Sequence, residues 1–328
     1  MEEILRNIVS VVCLTYNQSS FVKETMKGFC MQQTKFPFLC IIVDDASTDG
    51  EQNILMDYVK DNFDRLDILN FVSQETNDYV AVLARHKSNV NCYFAVYFLK
   101  YNHYCKKDSS PYYAEWIERS KYVAYCEGDD FWIDPLKLQK QYDVFESDKN
   151  ISLVYTGFQC VNENGEEMNR PYYEHLMQIS KTGDLFYDML KQNFIMTLTT
   201  CFKKEIIQSS IIKDAPYSQD YLYTLFASAM GKVVYIPDRT GCYRFVSNSV
   251  SNSRNKKVYE TNVHIGIYLS KLYLKGFFPR REKNLHKKIK CRIIWNRCLF
   301  LWYLFKMKIK RFFPAASKFF RKNSLSQN

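Results

Sequence analysis

The sequence predicts an α/β fold, a mostly parallel central sheet with crossover helices, followed from about residue 251 by a helical, basic extension. Three observations carry that prediction. Short β-branched apolar runs alternate with helical patterns at the spacing of strand–helix–strand units. Three of those runs empty into polar or acidic clusters. Charge is segregated as well: residues 271–322 hold 17 Lys/Arg against one acid, Glu282, while the remainder holds 28 basic and 34 acidic residues.

Residues 8–14, "IVSVVCL", read as the first strand, and a helical pattern follows to about Met31 with Phe21, Val22, Thr25, Met26 and Phe29 on one face. "FLCIIVDDASTDG" is a second strand ending in a helix N-cap, and "NILMDYVKDNF" the helix behind it. "LDILNFVSQE" reads as a third strand. Val90–Leu99 reads as a helix and "KYNHYCKKDSSPYY" as a loop inserted beside the cleft. "YVAYC" is the fourth strand, and a helix begins at Asp134 with Pro135 in its first turn. Beyond it come a strand over 151–161, a turn at "NENGE", a helix over 183–192, a strand over 194–204 and a helix over 218–230. Strands at "KVVYIP" and "GCYRFV" close the body, giving a catalytic unit of residues 1–250 and an extension of 251–328.

Eleven Cys lie scattered without CxxC spacing, and no signal-like segment opens the chain. Reduced thiols and a cytoplasmic location are the expectation. No GxGxxG or P-loop appears, which excludes an ordinary dinucleotide or Walker site. The five His have no ligand spacing.

In open α/β sheets, ligands bind outside the carboxyl ends of the strands. The first strand ends in Thr15, Tyr16 and Asn17, the second in Asp44 and Asp45, and the fourth in Glu127, Asp129 and Asp130. Three acids within four residues repel unless a cation sits among them. Asp45 suits ribose hydroxyls or a base N–H, and Asp129 and Asp130 suit a hard divalent ion that also holds a diphosphate. Phe131 and Trp132 stand either at an acceptor site or in the core beneath it.

These stretches, "VSVVCLTYNQSSFVKETMKGFCMQ", "CIIVDDASTDG", "YVAYCEGDDFWIDPLKLQKQ" and "QDYLYTLFASAMGKVVYI…YRFVSNSVS", resemble in order and spacing the family 2 glycosyltransferases of GT-A fold. The resemblance covers roughly residues 7–252. It implies a nucleotide-sugar donor, usually UDP-linked, Mg or Mn, and inversion at the anomeric carbon. It puts Thr15, Asn17 and Asp45 on the nucleoside, Asp129 and Asp130 at ribose and metal, and Asp220 as the catalytic base, unless Asp220 merely caps its helix. Arg85 answers to a uracil or phosphate contact in the family, and Arg244 to a phosphate clamp or a structural salt bridge. Gln219 stands where the family often has Glu. The absence of Q-x-x-R-W favours one sugar per encounter.

The extension has no apolar run longer than the eight residues Cys298–Phe305, far short of a membrane span. Basic clusters around aromatic anchors suit the surface of an anionic membrane, with a helix packed on the body as the alternative. Single-stranded nucleic acid would use the same residue types, but the acidic sheet edge repels a polyanion, so no nucleic acid is expected. The expected partners are the nucleotide sugar, a saccharide acceptor and that membrane surface.

Overall fold

The computed structural model describes residues 8–65, 74–104, 108–215, 220–246, 256–279 and 283–312. Its strands are β1 (Val9–Thr15), β2 (Phe38–Asp44), β3 (Phe63–Arg65), β4 (Gln74–Glu75), β5 (Tyr79–His86), β6 (Cys92–Leu99), β7 (Tyr122–Tyr125), β8 (Phe131–Trp132), β9 (Ile151–Val161), β10 (Cys201–Lys203) and β11 (Lys232–Arg244). The main helices are α1 (Val22–Cys30), α2 (Glu51–Asn62), α3 (Ser110–Arg119), α4 (Lys137–Ser147), α5 (Pro171–Ile179) and α6 (Phe186–Lys191). Two single turns, α7 (Lys204–Ile207) and α8 (Ser210–Lys213), precede α9 (Asp220–Met230), α10 (Lys256–Lys275) and α11 (Lys283–Phe312).

One sheet runs in the order β3-β5-β6-β2-β1-β7-β10-β9-β11-β8, with β4 paired to β5. Its centre, β6-β2-β1-β7, is parallel. The flanks mix in antiparallel pairs, β5 on β6 and β10 between β7 and β9. The central strands alternate by the pleat. Val9, Val11 and Cys13 face a core under α1, α2 and α4, while Val12 faces a second core with Tyr113, Trp116 and Ile117 of α3. Burial on both faces is why these strands read as unbroken apolar runs.

The same property defeats the expectation of a helix over Val90–Leu99. "CYFAVYFL" is buried almost throughout as β6, apolar in both a helical and a strand register. Of the expected third strand, most lies outside the described residues; Gln74 and Glu75 form the short edge β4. The helix expected from Asp134 starts at Lys137, because Asp134 spends its Oδ1 on the Leu136 N–H (2.8 Å) and so closes a turn first. Only Cys201–Lys203 of the run over 194–204 is strand, preceded by a 3₁₀ turn at Thr197–Thr199. The two closing strands are one bulged strand, β11.

The last helices are joined to the body. Ile265, Leu269 and Tyr273 of α10 and Ile289 of α11 are buried in one cluster with Met189 of α6 and Leu222, Leu225 and Phe226 of α9. The Arg292 guanidinium donates to the Leu190 and Lys191 carbonyls, both at 3.1 Å, tying α11 to α6. No helix among the described residues is long and apolar enough to cross a membrane.

Candidate active site

The parallel register sets three strand ends level. Thr15 pairs with Asp44, and Asp44 with Phe98. Beyond β7 the chain keeps running beside β1, since Cys126 N donates to Val12 O (3.1 Å) and Gly128 N to Leu14 O (3.2 Å). Glu127, Gly128 and Asp129 therefore stand at the height of Thr15 and Asp44. A side chain at 128 would not fit: a Cβ there would collide with Thr15 Oγ1 and Gln18 Oε1.

The loops after β1 and β2 are clipped together. Asn17, in the left-handed region at φ 54°, receives the Thr48 N–H on its Oδ1 (2.8 Å), and its own N–H donates to Ser47 Oγ (2.9 Å). Glu51, at the head of α2, accepts from the Thr15 hydroxyl and from Gln18 N (2.8 Å). Thr15 is buried and its hydroxyl is spent inside this clip, so its place is in the scaffold rather than on a nucleoside. Tyr16, 46% exposed, and Asn17 remain open at the strand end. Asp44 is fully buried: its Oδ2 takes Ser47 N and Gln52 Nε2, while its Oδ1 has no partner.

Asp45 is partly accessible but engaged. Its carboxylate accepts from His103 N (2.6 Å), Tyr104 N (3.1 Å) and Asn102 Nδ2 (3.1 Å), docking the segment expected to be an insertion onto the end of β2. A ribose or base contact at Asp45 requires that segment to give way.

The acidic turn divides in two. Asp130 is 4% exposed, and its Oδ1 accepts the Arg244 N–H at 2.8 Å. Glu127 and Asp129 are only half-buried. Arg244 was expected at the donor phosphates, but its guanidinium is 3% exposed and fully committed. Nε donates to Asp129 O (2.9 Å), Nη1 to the Glu163 and Asn162 carbonyls (3.0 and 3.3 Å), and Nη2 to Glu24. It lies between the Phe21 and Phe131 rings, 4.8 and 4.9 Å from their centroids. Arg244 is a strut under the acidic turn, the salt-bridge alternative rather than the clamp. Phe131 and Trp132 are core residues: Trp132 donates Nε1–H to Leu198 O (3.0 Å) and meets Phe29 edge-on at 4.9 Å.

Arg85 lies at the wrong end of the sheet. It sits late in β5, paired with Tyr93, which pairs in turn with Leu39 near the start of β2. Because β5 runs antiparallel, its last residues reach the edge opposite the acids. There Arg85 Nε donates to Val90 O (3.1 Å).

Asp220 opens α9 and joins the cleft. Its Oδ2 accepts the Thr197 hydroxyl at 2.9 Å. Asp220 is exposed to the cleft, yet the surrounding protein desolvates its carboxyl enough to raise its pKa above the ordinary range, and the Thr197 donor partly offsets this. Burial, then the charges of Asp220 and Asp129, push Glu127 up to about 8. Burial foremost raises Asp129 and Asp130 too, the latter well above the usual carboxylate range. Acids from β7 and α9 thus share one field. No local motif marks Thr197 or the strut partner Glu24, whereas Glu127 is marked in the sequence as a strand-end acid beside two others.

Among the described residues no three His, Cys, Asp or Glu side chains gather into a ready-made metal cage. The donor set nevertheless fits a hard divalent ion that takes one or two carboxylates and completes its shell with phosphate oxygens and water. It is all oxygen, and burial raises its pKa values, with like-charge repulsion adding to this at Glu127 and Asp130, where a cation would lower them.

Comparison with known proteins agrees with this architecture. The Glycosyl transferase family 2 model matches residues 10–84. TuaG of Bacillus subtilis, described as a teichuronic acid biosynthesis glycosyltransferase, is 26% identical over 257 residues, covering 77% of this chain and 85% of TuaG. An uncharacterised protein of Mycobacterium tuberculosis is 26% identical over 260 residues; the match spans 78% of this chain and 65% of that protein's length. Among solved structures, S. aureus TarS 1-349 in complex with UDP-GlcNAc superposes with a TM-score of 0.56 at 15% identity, over 89% of this chain and 73% of TarS. The mannosyltransferase PcManGT of Pyrobaculum calidifontis, in complex with GDP-Man and Mn2+, gives 0.53 at 12% identity over 98% and 81%. The fold is thus that of the GT-A glycosyltransferases. Within that class, the chain is similar to the family 2 glycosyltransferases, whose model it matches over residues 10–84.

Proposed function

We propose that this chain transfers one sugar from a UDP-linked nucleotide sugar to a hydroxyl of a saccharide or lipid-linked saccharide, with inversion. The observation that carries the reading is the meeting of Asp220, from the head of α9, with Glu127 and Asp129, from the end of β7, in one electrostatic field. Direct displacement needs a base for the acceptor hydroxyl and charge compensation for the departing diphosphate. Asp220 takes the hydroxyl proton while the acceptor oxygen bonds to the anomeric carbon and the carbon–oxygen bond to the diphosphate breaks. The Thr197 hydroxyl holds the carboxylate in place and favours its ionised form. Asp129, with Glu127 beside it, would hold Mg2+ or Mn2+, which supplies Lewis-acid compensation for the diphosphate. Tyr16 and Asn17 offer the open surface at the nucleoside end.

The named role of TuaG in teichuronic acid biosynthesis supports a carbohydrate polymer as the acceptor and surface polysaccharide assembly as the setting. The basic extension supports placement on the cytoplasmic face of a membrane, with residues 1 to about 250 as the catalytic unit. The test is nucleoside diphosphate release from a panel of nucleotide sugars, with Mn2+, with Mg2+ and with chelator. Turnover of one UDP-sugar that disappears on chelation and in Asp220→Asn is the expected result. Metal-independent turnover, or transfer by Asp220→Asn at the parent rate, overturns it.

A further inference from the structure

One face of α11 packs on the body and the opposite face is apolar and bare. Ile289 and Asn296 are buried, Phe300 lies against His264 of α10 with ring centroids 5.4 Å apart, and Arg292 is bonded to α6. Across the helix, Cys291, Ile294, Trp295, Cys298, Leu301 and Phe305 are exposed at spacings of three and four residues, which is one stripe along a helix. Ile294, Trp295, Leu301 and Phe305 are 56–64% exposed. Exposed Lys290 and Arg297 flank the stripe on one side and Lys288 on the other.

We propose that this stripe is a membrane-docking surface, with α11 lying in the plane of an anionic bilayer and these side chains inserted among the lipids. The proposal deepens the membrane-side placement given above and rests on it. The choice of occupant follows from charge. Residues 271–322 carry 17 basic residues and one acid, so a second copy would bring the same positive field against itself, whereas anionic headgroups complement it. An apolar face bordered by Lys and Arg, with a Trp and a Phe along it, is the pattern of a helix that lies on a membrane. The lysine and arginine stems reach along the apolar surface while their charges stay at headgroup level. Docking of the inner face on the body makes the stripe a fixed plane of the enzyme and not a loose tether.

The experiment uses the full chain and vesicles of equimolar phosphatidylglycerol and phosphatidylcholine, with pure phosphatidylcholine for comparison. The protein is expected to float with the anionic vesicles and poorly with the neutral ones. Trp295→Glu/Leu301→Glu should lower partition at least about tenfold, since two large apolar side chains no longer insert. Val90→Glu, which changes an equally exposed apolar residue on the body, should leave partition unchanged. In a Trp302→Phe background, brominated lipid should quench Trp295, because Trp116 and Trp132 are buried. Donor hydrolysis without vesicles reports the catalytic reading separately. Equal flotation of the double variant, no quenching, a stable dimer formed through the stripe, or RNA binding that competes with vesicles would each overturn the proposal.

Discussion

The backbone N–H of Arg244 donates to Asp130 Oδ1 at 2.8 Å, joining the last strand of the body to the acidic turn 114 residues earlier. The Arg244 side chain doubles that joint through the Asp129 carbonyl. Replacement of Arg244 by Met strands the Glu163 and Asn162 carbonyls and Glu24 as well. Glu24 and Glu163 are exposed and Asn162 half-buried, so water makes up part of the loss and each acceptor costs less than the roughly 1–3 kcal/mol of a buried unpaired group. Arg244→Met should therefore lose about 2–4 kcal/mol in chemical denaturation and lower donor affinity only as a consequence. A residue that merely clamps phosphate would show the reverse: unchanged stability and a raised KM for the donor.

Asp220 is expected to be required for transfer and not for donor binding. Asp220→Asn should reduce kcat about 10²–10⁴-fold, the usual contribution of a positioned base, with donor dissociation unchanged in calorimetry. Thr197 provides the finer test. Its hydroxyl lowers the Asp220 pKa against the raising effect of burial. A base works only when deprotonated, so rate falls as pH drops through its pKa. Thr197→Val removes the lowering influence, and the acid limb of the kcat/KM profile should move to higher pH. A limb that stays in place separates Asp220 from the titration that governs the rate.

Gly128 is where the acidic turn touches β1. Its would-be Cβ meets the buried Thr15, whose hydroxyl is fixed by Glu51 and Gln18, so neither chain can yield cheaply. Gly128→Ala should destabilise by about 1–3 kcal/mol through overpacking and weaken metal-dependent donor binding by displacing Asp129. Gly50→Ala meets open space and pays only for its left-handed φ of +90°, about 1 kcal/mol. It should leave donor binding intact. Equal effects of the two substitutions on donor binding would separate the turn's fit from ligand binding.

The legible parts of this molecule were those written locally. β1, β2 and β7 each show an apolar run that stops at a polar cluster, and adjacency in a parallel sheet brought the clusters together as expected. β6 was illegible because a strand buried on both faces carries no period. The stripe on α11 was hidden for a related reason: a helix with one apolar face against the body and another against solvent reads as apolar all round. Roles set by distant partners were beyond the sequence altogether. Nothing near Arg244 reveals that Asn162, Glu163 and Glu24 surround it, and nothing near Asp45 reveals that residues 102–104 cover its carboxylate. Arg85 failed through topology, since one antiparallel strand carried it to the far edge.

Lys137 tests the electrostatics of the core away from the site. It is fully buried, with its ammonium 4.5 Å from the Trp132 ring centroid and donating to Gln141 Oε1 at 2.8 Å. Burial pulls its pKa from 10.5 down to about 8. The folded chain therefore releases this proton earlier than the unfolded chain as pH rises. Between pH about 8 and about 10.5 the unfolded state binds more protons, so in that window stability from this residue increases with pH. Below about 8 both states hold the proton, and the cost of burying the charge is present in full. Lys137→Met removes the titration, and any loss from the unpaired Gln141 is a constant offset. Denaturation of both proteins at pH about 8 and about 10 should thus show the difference between them moving in favour of the wild type by on the order of 2 kcal/mol. A pH-independent difference would mean that Trp132 and Gln141 hold the ammonium as well as water does.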